Sequence, residues 1–444
     1  MRILAAMHSF DLSITSASGV AEALRRGTLP PAELARAIVD RHAELEPALR
    51  AWSWFDPLRI EQAYRSLGTA DALPLLGVPV GIKDIIDVAG MPTGLGLPGP
   101  AAGTAARDAA CVAMLRAAGA VPVGKTVTAE LAFSHPGPTR NPHAAGHTPG
   151  GSSSGSAAAV AAGMVPLALG TQTGGSVIRP AAYCGVVGVK SSLHAVPSAG
   201  VAPVADSLDC VGWFARSVED AAMAGRALLP WTGEARPRAR HWRVLRLDAE
   251  ALGPLAPQAR QALEDAAAAL CEAGHRVVPS AMPERLQALA RCHRRVMLYE
   301  LARSLMPVAR TRGHELSAVL REAIDTGLAI GAGQYREALA QAASERTSFS
   351  RELEDYDFIL TASAAGEAPA GLGHTGDSTF NRVWSVLGWP AIHLPTAWSG
   401  NGLPLGVQLV ARHGEDELLL SYAALAHPLL DRRARAMPGR SRPA

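Results

Sequence analysis

Glycine-flanked serines and a very small number of lysines are the residues here whose types and surroundings suit covalent chemistry. From Gly150 to Lys190 the chain reads GGSSSGSAAAVAAGMVPLALGTQTGGSVIRPAAYCGVVGVK, two serine clusters separated by one helical and one strand-like stretch. The second cluster, Gly174-Gly175-Ser176, falls in a loop after the strand and before Pro180. Glycines let the backbone approach a ligand closely and aim several N–H groups at one spot. Beside a serine hydroxyl, that arrangement can hold a developing oxyanion; a tight structural turn is the other use of a lone Gly-Gly-Ser. A serine attacks only after a neighbouring base takes its proton. All but three of the 42 basic residues are arginine, the exceptions being Lys83, Lys125 and Lys190. Arginine keeps its proton at any usable pH, whereas burial or nearby positive charge can bring a lysine down from about 10.4.

Three other motif matches fail on context. Gly119-x-x-x-x-Gly124-Lys125-Thr126 fits a phosphate-binding loop letter for letter. Such a loop needs a strand before it and a helix after it, and here a helical run leads in while a strand lies inside the motif. Gly94-x-Gly96-x-x-Gly99 fits a dinucleotide fingerprint, but Pro98 and Pro100 stand where its helix would begin. Gly151-x-Ser153-x-Gly155 has the form of a hydrolase nucleophile elbow, yet it follows a loop and no Asp-then-His order succeeds it.

The elements that must position these residues follow from pattern. Residues 13–67 read as helices, with Leu34, Ile38 and Leu45 on one face after Pro30-Pro31. Residues 73–88 are a β-rich apolar run. Val112–Ala118 reads as a helix, Ala120–Val123 as a short strand, and 134–156 as a loop. A helix at Ala157–Ala162 ends at Gly163, a strand covers Val165–Leu169, and a second glycine-rich loop covers Gly170–Ser176. Residues 240–355 turn Ala-, Arg- and Glu-rich and read as helices forming a cap or insertion. Strands return at Phe358–Leu360, Ala391–Pro395 and Leu405–Val410, and Asp431–Ala444 reads as a frayed tail. This order predicts an α/β fold, a mixed sheet sandwiched by helices and built from both ends of the chain.

Composition removes other classes. The chain has 444 residues, 48% of them apolar and 18% charged, which is enough to bury a large core. Its 42 basic and 40 acidic residues leave a net charge of +2 and no broad basic surface for nucleic acid. The longest apolar run, Ala157–Leu169, is interrupted by Gly163 and Pro166 and is too short for a bilayer. Met1–Phe10 is too short for a signal peptide. Five cysteines without a C-x-x-C argue against a zinc site or a disulfide framework and for a reducing cytoplasm.

On these residues the sequence resembles the amidase signature family. The likeness is carried by GVPVGIKDIIDVAGMPT around Lys83, AGAVPVGKT around Lys125, the double-serine segment, and SLDCVGWFARSVEDAA at 207–222. It extends more loosely to the helices before residue 67 and to LGWPAIHLPTAWSGNGLPLGVQLV at 387–410, but not to 240–355. The resemblance implies one large α/β/α sandwich over residues 1–430. Its parts are N-terminal helices (1–70), a signature core (71–222), the variable helical region (240–355) and a C-terminal core part (356–430). It further implies Ser176 as acyl nucleophile, Ser152 as the serine held in a cis peptide, and Lys83 as the base. Ser152 can donate and accept, so it can pass the Ser176 proton to Lys83. The amides of Thr173, Gly174, Gly175 and Ser176 would form the oxyanion hole. No metal or organic cofactor is required.

The chain departs from the family pattern beside the nucleophile. Members commonly carry Asp four residues before it and Arg two after; here these are Gln172 and Ile178, with Arg179 one place further on. The paired change suggests a charged contact exchanged for a neutral one. Lys83 is followed by Asp-Ile and Lys125-Thr126 by Val, which weakens an assignment to the branch that makes glutaminyl- or asparaginyl-tRNA. The expected activity is hydrolysis of a small carboxamide, anilide or carbamate, with esterase side activity. The alternative is a glutaminase-type subunit of an amidotransferase complex. A small-molecule amide is the expected partner, with neither nucleic acid nor membrane, and a homodimer is left open. Ser153, Ser154 and Ser156 read as capping and loop residues, Lys125 and Lys190 as structural, and Cys184 as a small buried side chain. His135, His143 and His147 lack the carboxylates a metal site would want. Met297, Leu298, Leu301 and Leu305 read as a core-facing helix stripe; Trp384 and Trp389 either line a pocket or pack.

Overall fold

Caps and prolines cut the N-terminal segment into helices, but not into helices alone. Ser16 accepts from the Gly19 amide and starts α1 (Ala17–Arg25). Pro31 opens α2 (Pro31–Leu49), whose Leu34 and Ile38 are buried as their spacing requires. The chain then forms β1 (Trp52–Phe55) before Asp56 caps α3 (Pro57–Arg65). This strand corrects the all-helical reading of residues 13–67. WSWF is rich in aromatic strand formers and finds a partner far along the chain, with Trp52 opposite Thr126. The structure, a computed structural model, describes residues 10–68, 73–99, 101, 103–237 and 240–432; the tail expected from Asp431 lies outside these beyond Arg432.

The signature core supplies β2 (Pro79–Lys83), α4 (Ala110–Ala117), β3 (Val121–Thr126), α5 (Ser154–Ala161) and β4 (Leu167–Gln172). It continues with α6 (Ile178–Cys184), β5 (Val187–Lys190), β6 (Cys210–Ala215) and α7 (Val218–Leu228). Only the middle of the apolar run 73–88 is strand, α5 begins before Ala157, and β4 extends through Gly170 to Gln172. The glycine-rich loop therefore starts at Thr173, three residues later than expected. Gly155 explains the early start of α5. A Cβ there would lie 2.1 Å from the Ala51 carbonyl oxygen and 2.4 Å from the Val127 amide, so only glycine lets the helix end rest on that backbone.

Residues 240–355 hold β7 (Arg243–Asp248), α8 (Pro257–Glu272), β8 (Arg276–Ala281), α9 (Pro283–Ser304), α10 (Met306–Arg312), α11 (Ala318–Ala329) and α12 (Ala332–Glu352). The region is thus not purely helical: β7 and β8 join the sheet, which corrects the expected helical cap. The C-terminal part adds β9 (Phe358–Ala362), α13 (Thr379–Val386), β10 (Ala391–Trp398), β11 (Pro404–Val410) and α14 (Asp416–Leu430).

The eleven strands among the described residues form one mixed sheet in the order β1-β3-β2-β4-β6-β5-β10-β11-β9-β7-β8. Strands β3, β2 and β4 run parallel, as do β9, β7 and β8, and the pairs between these groups are antiparallel. Every residue of β2, β3, β4 and β6 is buried, as expected of strands covered on both faces. Helices flank the sheet, and the architecture is the α/β sandwich that the sequence predicts. Trp384 and Trp389 are fully buried and stack with ring centroids 6.3 Å apart, so they pack and do not line a pocket. Leu298 and Leu301 of α9 and Leu305 at its C-cap are buried as their stripe implies, while Met297 is half-buried.

Candidate active site

Lys83 ends β2, the middle of three adjacent parallel strands, and Gln172 ends β4 beside it. Functional groups of open α/β sheets collect at such carboxyl ends. Lys83 is fully buried, and its Nζ lies 2.8 Å from Ser152 Oγ, 2.8 Å from Thr171 Oγ1 and 3.4 Å from the Thr171 carbonyl oxygen. Burial lowers its pKa to about 7; the carboxylate of Asp209 opposes that fall, and the charge of Arg179 adds to it. Two oxygens of Thr171 and the hydroxyl of Ser152 fill the three positions around the nitrogen.

Ser152 is brought to Lys83 by the turn into α5, and the Gly151–Ser152 peptide bond is cis. Arg179 holds this turn. Its Nε and Nη2 both donate to the Gly151 carbonyl oxygen, at 3.1 and 2.6 Å, and its Nη1 donates to that of Gly376. The Ser153 hydroxyl donates to the Thr171 carbonyl and accepts from its amide, which ties the turn to β4. Ser154 and Ser156 donate to strand carbonyls at Val127 and Leu169. Ser153 stands at the N-cap of α5, but its side chain makes no capping bond: the three hydroxyls fasten the helix start to β4 and to the end of β3 instead.

Ser176 lies in the loop from β4 to α6 and lines a cavity of about 390 Å³. Its hydroxyl makes no hydrogen bond among the described residues. The loop around it is held by its carbonyls. That of Thr173 accepts from His293 Nε2 (3.0 Å), that of Gly174 from Ser385 Oγ (3.1 Å), and that of Gly175 from the Arg179 amide (3.0 Å). A trans peptide points its N–H opposite to its C=O. The Gly174, Gly175 and Ser176 amides are therefore turned away from those partners. With the Thr173 amide, they donate to no acceptor among the described residues. Gly175 must be glycine, because a Cβ would meet Asn381 Oδ1 and Ser378 Cβ at 2.7 Å.

The structure brings Lys83, Ser152, Ser176 and the four loop amides to one end of β2 and β4. It also adds residues that sequence reasoning missed. Thr171 shares Lys83. Asp209 accepts from the Thr173 hydroxyl and from the Val204 and Ala205 amides, and burial raises its pKa to about 6 against those bonds and the Lys83 charge. It lies within the SLDCVG stretch, where nothing in the sequence marks it for a role. His293 is fully buried on α9, in the region that carries no resemblance, and burial lowers its pKa to about 4. No signal in the sequence sets it apart.

Gln172 accounts for the departure beside Ser176. Its Oε1 accepts from the amides of Val177 (2.9 Å) and Ile178 (3.0 Å), a neutral contact that closes the loop. Lys125 is structural, paired with Asp84 at 3.1 Å and donating to the Pro92 carbonyl and Thr93 hydroxyl. Lys190 donates to the carbonyls of Ser191 and Trp389, and Cys184 to that of Pro149. His143 Nε2 binds the Cys184 carbonyl, and no group of three metal-ligating side chains occurs among the described residues.

Comparisons with known proteins show the family to which the chain belongs. The family model described as Amidase matches residues 33–420. The Mycobacterium tuberculosis protein named AmiB2, a putative amidase by name, is 33% identical, with 94% of this chain and 96% of that protein covered. A glutamyl-tRNA(Gln) amidotransferase subunit from Roseiflexus castenholzii is also 33% identical, covering 90% of this chain and 92% of its own length. Among solved structures, 6-aminohexanoate cyclic dimer hydrolase with its substrate superposes with a TM-score of 0.82 at 28% identity, covering 95% and 98% of the two chains. The native peptide amidase of Stenotrophomonas maltophilia gives 0.79 at 25% identity, covering 94% and 97%. The match over most of its length makes this chain a member of the amidase family.

Proposed function

We propose that the protein hydrolyses the C–N bond of a small carboxamide, anilide or carbamate to an acid and an amine or ammonia, through an acyl-enzyme on Ser176. The observation that carries this reading is a buried lysine, with its pKa brought to about 7, placed 2.8 Å from Ser152, on a turn whose Ser153 amide donates to the carbonyl of the cavity-lining Ser176. Neutral Lys83 takes the Ser152 proton as Ser152 takes that of Ser176, and Ser176 Oγ bonds to the carbonyl carbon. The oxygen gains negative charge against the amides of Thr173, Gly174, Gly175 and Ser176. As the C–N bond breaks, the proton returns from Lys83 through Ser152 to the leaving nitrogen. Water then adds to the acyl-enzyme by the same relay and releases the acid. Esters, with easier leaving groups, react as well. We place this chemistry in a reducing cytoplasm, consistent with five free cysteines, and in a monomer or homodimer.

The test is a panel of amides, anilides, carbamates and esters with Ser176→Ala as the blank. Turnover by the native protein and none by the variant is expected; equal turnover by both overturns the assignment. The similarity to an amidotransferase component supports a second reading, a glutaminase-type subunit that works within a complex. Copurification of a partner, with glutaminase activity that depends on it, would favour that reading over a free-standing amidase.

A further inference from the structure

The cavity that Ser176 lines is unusually rich in arginine for a site expected to take a neutral amide. Arg179, Arg294 and Arg382 all border it. Arg179 is occupied by the carbonyls of Gly151 and Gly376. Arg382, half-buried on α13, is not: its Nε donates to Ser378 Oγ at 3.0 Å, and its Nη2 stays 3.6 Å from the exposed carboxylate of Asp377. Arg294 on α9 is exposed and has no ion pair or hydrogen bond among the described residues. Burial disfavours the charged form of Arg382, as does the neighbouring charge of Arg294, while the carboxylate of Asp377 opposes them. Two cations facing one cavity, with one incompletely paired and the other unpaired, are relieved by an anion. A guanidinium fork suits a carboxylate in particular.

The position of this pair limits the ligand. Ser378, which holds Arg382, touches the glycine next to the nucleophile: a Cβ on Gly175 would lie 2.7 Å from Ser378 Cβ. An anion on Arg382 therefore sits close to the reacting carbonyl. Among the other lining residues Phe133, Met297, Leu298 and Val319 suit a short carbon chain, Thr326 and Thr375 are polar, and exposed Glu322 of α11 is the acidic group.

We propose that Arg382, assisted by Arg294, binds a carboxylate on the substrate, so that the preferred substrates are short amides that also carry an acid group, such as half-amides of small dicarboxylic acids. This rests on the hydrolytic reading of Ser176, and its test has an arm that does not depend on turnover. Succinamate, glutaramate, neutral butyramide and cationic 4-aminobutyramide are compared in two ways: as ligands of the Ser176→Ala protein by calorimetry, and as substrates of the native enzyme. The half-amides are expected to bind at least about tenfold tighter than butyramide and to have a higher kcat/KM, mainly through KM. The preference should shrink as salt is raised. Arg382→Gln should reduce the half-amide to butyramide ratio about tenfold, and Arg382→Lys should restore part of it. Arg294→Gln, at an exposed and unpaired position where folding is not at stake, should reduce it less.

Equal handling of butyramide and the half-amides overturns the proposal, as does a ratio unmoved in both the Arg382→Gln and Arg294→Gln proteins. A preference for 4-aminobutyramide also overturns it and assigns the charge selection to Glu322. Turnover of every amide without charge preference would defeat this inference and leave the hydrolytic reading standing. Tight half-amide binding without any turnover would do the reverse.

Discussion

A lysine in water is almost wholly protonated near neutrality, and Lys83 escapes that state because it is buried. Its pKa of about 7 places the half-neutral point in the working range of a general base. The sign of the pH dependence follows from which form acts. The neutral form takes the proton, so kcat/KM should rise with pH through about 7 and level off above it. A pH–rate profile measures this, and a profile flat from pH 6 to 8 would remove Lys83 from the role. Asp209 and Arg179 are the charges that bear on it. Asp209 favours the protonated lysine, so Asp209→Asn should move the acid limb to lower pH, with the amide oxygen still able to accept from Thr173. Movement to higher pH would contradict that. Lys83→Arg keeps a cation and loses the base, and activity should fall by roughly two to four orders of magnitude. The same logic makes the arginine-rich composition informative: Lys125 is ion-paired with Asp84 and Lys190 donates to two carbonyls, while Lys83 meets two hydroxyls, those of Ser152 and Thr171.

At the scale of elements, the loop from β4 to α6 is shaped by partners on four different pieces of chain. Gln172 holds its end, His293 and Ser385 hold its carbonyls from α9 and α13, and Asp209 holds the Thr173 hydroxyl. Gln172→Leu would strand the buried Val177 and Ile178 amides. At about 1–3 kcal/mol for each orphaned group, a clear loss of thermal stability is expected. Calorimetry checks this, and Gln172→Glu, which can accept both bonds, should lose less. An unchanged Tm for the leucine variant would show that these bonds do not hold the loop. This loop also marks the limit of what is legible in the sequence. Its glycines and serine stand out because their types are rare at such density, and the helix Ala110–Ala117 and strand Val121–Thr126 are legible from periodicity. Strand β1 is hidden because four residues between two helices carry too short a pattern to register. Strands β7 and β8 are hidden because RVLRLD and RVVPSA sit among helix formers and gain their strand state from pairing with each other and with β9. His293 leaves no trace at all. Its function is a contact 120 residues away, and nothing local distinguishes it from a core histidine.

Across the whole molecule, the sheet order bears on whether the helical region 240–355 is a separate unit. Strand β5 of the signature core pairs with β10 of the C-terminal part, and β9 of that part pairs with β7 from the helical region. Contacts outside the sheet cross the same boundaries. The Ser317 amide at the start of α11 donates to Glu130, the Ser192 amide to Asp416, and Arg179 to the Gly376 carbonyl. Leu286, Leu289 and Val296 of α9 and Phe349 of α12 share a buried cluster with Trp384 and Trp389. Removing the helices from this cluster would expose those tryptophans, so helix loss and tryptophan exposure are the same event. Urea unfolding followed by far-ultraviolet circular dichroism and by tryptophan fluorescence should accordingly give superimposable transitions, despite a chain length at which separable domains are common. An early loss of helix at constant tryptophan emission would show instead that residues 240–355 unfold on their own. In that case the His293 contact would be a docking interaction between units, and the loop that carries Ser176 would depend on how firmly the helical region is seated.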